Sequence, residues 1–169
     1  MMMKKTMKLS LITIGMCCAL PFCSLAAEKD PEKAALREQR AQIRNELAAD
    51  RAEFDANREE LSTLRETRKS LIAEIKEVRK DASVDEELKE LIAQISSDIK
   101  ELHLELVDSK GDVKELRASA KENIMDCDAD AAKTDLKAAI ATQEERIALQ
   151  KSIIEKLQDK LAAFKSALA

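Results

Sequence analysis

Leu36–Arg65 reads LREQRAQIRNELAADRAEFDANREELSTLR, and its periodicity decides the fold. Arginine recurs every seven residues, at Arg37, Arg44, Arg51, Arg58 and Arg65. A helix that pairs with other helices needs charge beside its apolar stripe at that interval, because a seven-residue repeat keeps one face turned towards the partner. The apolar residues keep the same period. Leu36, Ile43, Leu64, Leu71 and Val78 share one heptad position, d, and Leu47, Phe54, Leu61 and Ile75 share the complementary one, a. The arginines then fall at e, and Glu46, Glu53, Glu60 and Glu74 at g. Arg40 and Arg68 at a, and Asp50 and Asn57 at d, interrupt the stripe; such residues weaken pairing but help fix its register.

The N-terminus has a different character. Lys4, Lys5 and Lys8 precede an uncharged run from Leu9 to Leu20, and Pro21 stands ahead of the small-x-small tripeptide Ser24-Leu25-Ala26. This pattern predicts a bacterial-type secretory signal over residues 1–26, cleaved near Ala26 or Ala27. Neither Cys18 nor Cys23 follows the small residues that acylation would need. Three of the 29 basic residues and none of the 33 acidic ones lie in that segment, so residues 27–169 carry 26 against 33, a net of −7. That remainder is rich in Ala, Leu, Glu, Lys and Arg and nearly free of Gly and Pro, the composition of long helices. An acidic balance with no Tyr or Trp excludes nucleic acid as a partner. After cleavage no membrane-spanning segment is expected.

Three helices are expected, over about 31–81, 84–125 and 129–168. Asp30 and Pro31 suit the cap and first turn of the first, a rod of roughly 75 Å at 1.5 Å per residue. Ser83-Val84-Asp85-Glu86 reads as a capping box for the second. Asp126-Cys127-Asp128-Ala129-Asp130 supplies short acids that suit a junction before the third. Gly111 is expected to be tolerated inside the second helix. The third helix repeats Leu136, Ile140, Ile147, Ile154, Leu157, Leu161, Phe164 and Leu168, with Gln143 and Gln150 on the same stripe. The fold expected is all-α: an elongated antiparallel coiled-coil hairpin or three-helix bundle.

Charge and connectivity point different ways on pairing. Glu at g facing Arg at e favours parallel copies of the first helix. An antiparallel pairing of the first two helices instead sets the arginines near Lys89, His103, Lys110 and Arg117. Short connections favour antiparallel neighbours, and exposed charge pairs are worth only ~0.5 kcal/mol each, so connectivity is given precedence. In an up-down-up bundle the g glutamates would face Lys137, Lys151 and Lys165, and Asp98, Glu105 and Asp112 would face Arg146 and Lys160. Pairing, within or between chains, is assigned to Arg37, Arg44, Arg51, Arg58, Arg65, Glu46, Glu53, Glu60, Leu47, Phe54 and Leu61.

Residues that carry chemistry are scarce. His103 has no second strong ligand at helical spacing, so it reads as a surface histidine and no metal is expected. Asp126, Asp128 and Asp130 open like a calcium loop, but Ala131 and Lys137 occupy the glycine and glutamate positions, so the acids read as caps. Cys127, the one thiol after cleavage, is flanked by acids that disfavour a thiolate and is a candidate for an intermolecular disulfide. No nucleophile–histidine pair or glycine-rich phosphate loop is present, so neither an enzyme, a cofactor nor a small-molecule substrate is expected. The reading is an exported interaction or structural protein of the bacterial envelope, periplasmic or secreted, acting by helix–helix pairing with a protein partner or with itself. The alternative is a periplasmic holdase-type chaperone or stress-adaptor binding protein.

Overall fold

The structure, a computed structural model, describes residues 30–168; the expected signal segment lies outside the described residues. Four helices are found among them: α1 (Pro31–Glu46), α2 (Ala48–Asp81), α3 (Glu86–Met125) and α4 (Ala129–Ser166). α1 and α2 together are the expected first rod, interrupted at Leu47 alone (φ −86°, ψ 8°). The hydrogen-bond ladder crosses this point, since Leu47 N–H donates to Ile43 O and Arg51 N–H to Leu47 O, each at 3.0 Å. The sequence contains no breaker there. Leu47 is instead drawn into the core, with 2% of its surface exposed.

The chain runs up, down and up. Lys151 pairs with Glu60 at 2.9 Å and Lys165 with Glu74 at 2.7 Å, so α4 lies parallel to α2 in one constant register. These are two of the lysines expected to meet the g glutamates. α3 runs antiparallel to α4: Asn123 Nδ2 donates to Asp135 Oδ2 near one end, and Lys156 Nζ meets Asp98 Oδ2 towards the other, both at 2.8 Å. The expectation that Asp98 faces Arg146 or Lys160 is corrected, because those two side chains turn inwards. α4 lies against both α2 and α3, and the latter two are held apart by it.

A helix between two neighbours must bury two stripes. One is the expected series, in which Gln143 and Gln150 are buried with the aliphatics; Leu168, placed on that stripe by periodicity, lies beyond the helix end and is exposed. The second was not read from the sequence: Ala132, Ala139, Arg146 and Ile153, each seven residues from the next and all buried. The core forms two clusters. Ile43, Leu47, Phe54, Ala120 and Leu136 centre one, and Ile75, Leu106, Ile153, Leu157 and Phe164 the other. Between them α4 presents the polar residues Gln143, Arg146 and Gln150.

Local chemistry sets the turns. Asp85 caps α3, its Oδ1 accepting from Leu88 N–H at 2.8 Å, so the cap lies two residues beyond the expected Ser83. A carboxylate satisfies the orphan donor and also meets the positive end of the helix dipole, which a hydroxyl does less well. Asp128 caps α4 in the same way, accepting from Ala131 N–H at 3.0 Å. Asp30 occupies the cap position of α1, but its carboxylate pairs with Lys33 and makes no capping bond. At the end of α3, Asp128 N–H donates to Asn123 O and Cys127 N–H to Ile124 O, the two bonds of a Schellman motif. Arg40, one of the charged residues on the apolar stripe, donates from Nε and Nη2 to Met125 O at 2.9 and 2.6 Å and so closes that helix end.

The Schellman position places Cys127 at φ 62°, where a side chain costs energy and glycine does not. Gly111 is the converse, a glycine inside an uninterrupted helix with open space where a Cβ would go. Cys127→Gly and Gly111→Ala are each expected to stabilise by about 1 kcal/mol. In thermal denaturation each would raise Tm by a few degrees, and their effects would add because the sites are distant.

Candidate functional site

α2 and α3 flank α4, and between them, over α4, the surface is hollowed at two places along one line, a groove in two parts. One, of about 740 Å³, lies between Arg44, Leu47, Arg51, Phe54 and Asp55 of the first rod and Lys114, Arg117, Ala120, Lys121 and Ile124 of α3, over Leu136. The other, of about 730 Å³, lies by the α2–α3 turn between Ile72, Lys76 and Arg79 on one side and Lys89, Ile92 and Ser96 on the other, over Leu157, Lys160 and Phe164. The two phenylalanines among the described residues thus occupy one hollow each. The Arg117 guanidinium lies 5.7 Å from the centroid of the Phe54 ring, an attractive cation–π placement.

The walls carry one sign of charge. Asp55 is the single carboxylate residue lining either hollow, against nine lysines and arginines. The heptad explains this: antiparallel pairing brings the e residues of α1 and α2 opposite those of α3, as the sequence implied. Arg79 extends the arginine series two heptads beyond Arg65, with Ile72 between them, and was missed because the series lapses there.

Two arrangements of the same kind lie where α4 meets these walls. Arg146, 5% exposed, donates from Nη1 to Leu106 O at 2.7 Å and to Ser109 Oγ at 2.8 Å. Fourteen residues on, Lys160 donates to Ser96 Oγ at 2.7 Å. Neither cation has a carboxylate partner. Burial, and then the charge of Arg65, lower the pKa of Arg146; burial, and then Arg79, lower that of Lys160. Buried Arg146 and half-buried Lys160 are therefore each held by a serine of α3 and repelled by an arginine of α2.

Carboxylates are used elsewhere. Lys156, one turn before Lys160, pairs with Asp98 of α3 at 2.8 Å, and Gln94 Nε2 adds a bond to Asp98 Oδ1 at 2.9 Å. The hydrogen bond from Lys156, then that from Gln94, hold the Asp98 carboxyl below its ordinary 3.8, and the bond to Asp98 raises the pKa of Lys156. For an acid whose folded pKa is depressed, the stabilisation is complete above its unfolded value and is lost as pH falls through the folded one. Below pH 4 the wild type is therefore expected to lose stability more steeply than Asp98→Asn, a difference measurable as Tm against pH.

The sequence-assigned pairing residues divide into two groups. Leu47, Phe54 and Leu61 are buried within the chain's own core, and Glu60 pairs with Lys151 of the same chain. Arg37, Arg44, Arg51, Arg58, Arg65, Glu46 and Glu53 are exposed. From Arg44 to Arg79 no arginine forms an ion pair with a described residue. Cys127 is half-buried and lies against the first cluster, His103 is exposed, and Asp128 of the acid cluster is engaged as a cap. Among the described residues no group of three or more His, Cys, Asp or Glu side chains is placed to hold a metal ion, and no helix is long and apolar enough to cross a membrane. Comparison with models of protein families, with curated proteins and with solved structures finds no match.

Proposed function

We propose that this is a non-enzymatic helical interaction protein of the bacterial envelope, exported by its N-terminal segment, which works by seating an acidic amphipathic helix in the groove between α2 and α3. The observation that carries the reading is the lining of the groove: exposed apolar surface at Met125 in one hollow and at Ile72 and Val84 in the other, between walls whose cations have almost no carboxylate among them. Of these cations only Lys89 has a carboxylate partner among the described residues, Glu86 at 2.8 Å, and cations beside apolar surface favour a partner that brings both acids and apolar residues. The length of the basic wall, 36 residues from Arg44 to Arg79 or about 50 Å, suits a helix and exceeds a small anion.

The test is fluorescence anisotropy with a labelled helical peptide carrying glutamate at heptad spacing beside an apolar stripe. Binding is expected at low salt and should weaken towards 1 M salt, where the screening length falls to ~3 Å. Arg51→Glu and Arg79→Glu should each reduce it. If the peptide does not bind, or binds equally with its glutamates replaced by lysine, the reading fails. Equal affinity for uncharged apolar peptides, with protection of an aggregating client, would favour the holdase alternative instead.

A further inference from the structure

The molecule itself displays a helix of the kind the groove calls for. The outward face of α3 carries Glu87, Glu101, Asp108, Glu115 and Glu122, all exposed and all on one heptad position, with Gln94 filling the remaining place. None of them forms an ion pair with a described residue. Leu104, 55% exposed, lies one turn from both Glu101 and Asp108, and Val107, 52% exposed, lies one turn beyond Leu104, so the acidic stripe has an apolar margin. The basic stripe of the first rod is its counterpart. Arg44, Arg51, Arg58, Arg65 and Arg79 are exposed and share a heptad position, with Ile72 filling the remaining place. Both stripes span 36 residues, and each has one uncharged position.

The lapses fix an orientation. If the two stripes are laid antiparallel, Arg44 meets Glu122, Arg79 meets Glu87, and Ile72 falls opposite Gln94, so that every charge has a partner and the two uncharged residues face each other. Laid parallel, Ile72 would face Glu115 and Gln94 would face Arg51, leaving two charges unmatched. Within one molecule α2 and α3 are already antiparallel, so an inserted α3 would run in the same direction as the α3 that forms the groove wall. From this correspondence, and resting on the groove being a helix-docking site, we propose that the occupant of the groove is a second copy of this chain, docked through the outer face of its α3 antiparallel to α2. The contact is heterologous, with donor face and acceptor groove on different surfaces, so it repeats from molecule to molecule into a ring or an open array.

The test combines mass with charge exchange. Light scattering after size exclusion should give a multimer at low salt that dissociates at high salt, because the matched pairs are exposed and screened. Arg51→Glu/Arg58→Glu/Arg65→Glu and, separately, Glu101→Lys/Asp108→Lys/Glu115→Lys should each fold, as helical circular dichroism would check, and each should weaken assembly at least about tenfold. A mixture of the two variants should regain association, since the basic-to-acidic groove then meets the acidic-to-basic face. Register is read by oxidation in a Cys127→Ser background, where an Ile72→Cys chain should cross-link with a Gln94→Cys chain and not with a Glu115→Cys chain. Wild-type protein that remains monomeric at low salt, or triple variants that assemble as the wild type does, would overturn the proposal. If monomeric protein still binds the acidic peptide, self-docking falls while the groove's function stands; if neither occurs, both fall.

Discussion

Phe164→Ala is expected to lower the free energy of unfolding by about 3–5 kcal/mol, among the largest effects of any single truncation in this bundle. Phe164 is 2% exposed and lies near the end of α4, in one cluster with Ile75, Leu157 and Leu161, against which the half-buried Leu71, Val78, Leu88 and Ile92 pack. A buried phenylalanine removes about 200 Å² from water, and at ~25 cal/mol per Å² that alone accounts for several kcal/mol. The core is thin, so the remaining side chains cannot close over the gap without moving α2 or α3. Since domains of this size are stabilised by only about 5–15 kcal/mol, one substitution removes a large share. Urea denaturation followed by circular dichroism would measure it, and a loss below 1 kcal/mol would mean that the turn end of the bundle contributes little. Phe54→Ala tests the opposite cluster in the same way, with the added loss of its Arg117 contact.

The three-helix path was legible because heptad periodicity survives in every segment and because short connections force antiparallel neighbours. Glu60–Lys151 and Glu74–Lys165 were legible for the same reason: g and e positions meet wherever parallel helices share a seam. Three features were not. The central position of α4 requires its second stripe, but Ala132, Ala139, Arg146 and Ile153 mix two small residues and a cation with one aliphatic, so no hydrophobic period stands out. The cap at Asp85 was hidden because Ser83 offers an equally plausible motif in the same turn, and only tertiary context decides between them. The groove was half legible. The sequence predicted that antiparallel pairing would bring cations together, and treated this as a cost small enough to overlook. The structure shows how the cost is met: α2 and α3 stay apart on either side of α4, and the cations line the space between them.

Replacing Gln143 and Gln150 together by leucine is expected to stabilise the protein by about 2–4 kcal/mol while making its native state less unique. Both side chains are buried, Gln150 to 1% exposure, and the Oε1 of each accepts no hydrogen bond from any protein group. A buried polar atom without a partner costs about 1–3 kcal/mol, and leucine has nearly the same volume and a similar helix propensity, so each replacement removes that cost without creating a void. Nδ2 of Asn57, a polar residue on the α2 stripe, is buried without a partner too. These groups divide the two apolar clusters, and therein lies their use. With leucine at both positions, the stripe of α4 would be aliphatic at every step from Leu136 to Leu161, and sliding α4 by one heptad, about 10 Å, would meet little resistance. With the glutamines in place, such a slip drives a polar side chain into an apolar cluster, so the native alignment is selected at the expense of stability. The double variant should therefore show a higher denaturation midpoint together with broadened or duplicated amide resonances. A midpoint below that of the wild type would show that the glutamines do find partners in solution; a higher midpoint with one sharp set of resonances would place the register in the ion pairs from α4 to α2 and α3 instead.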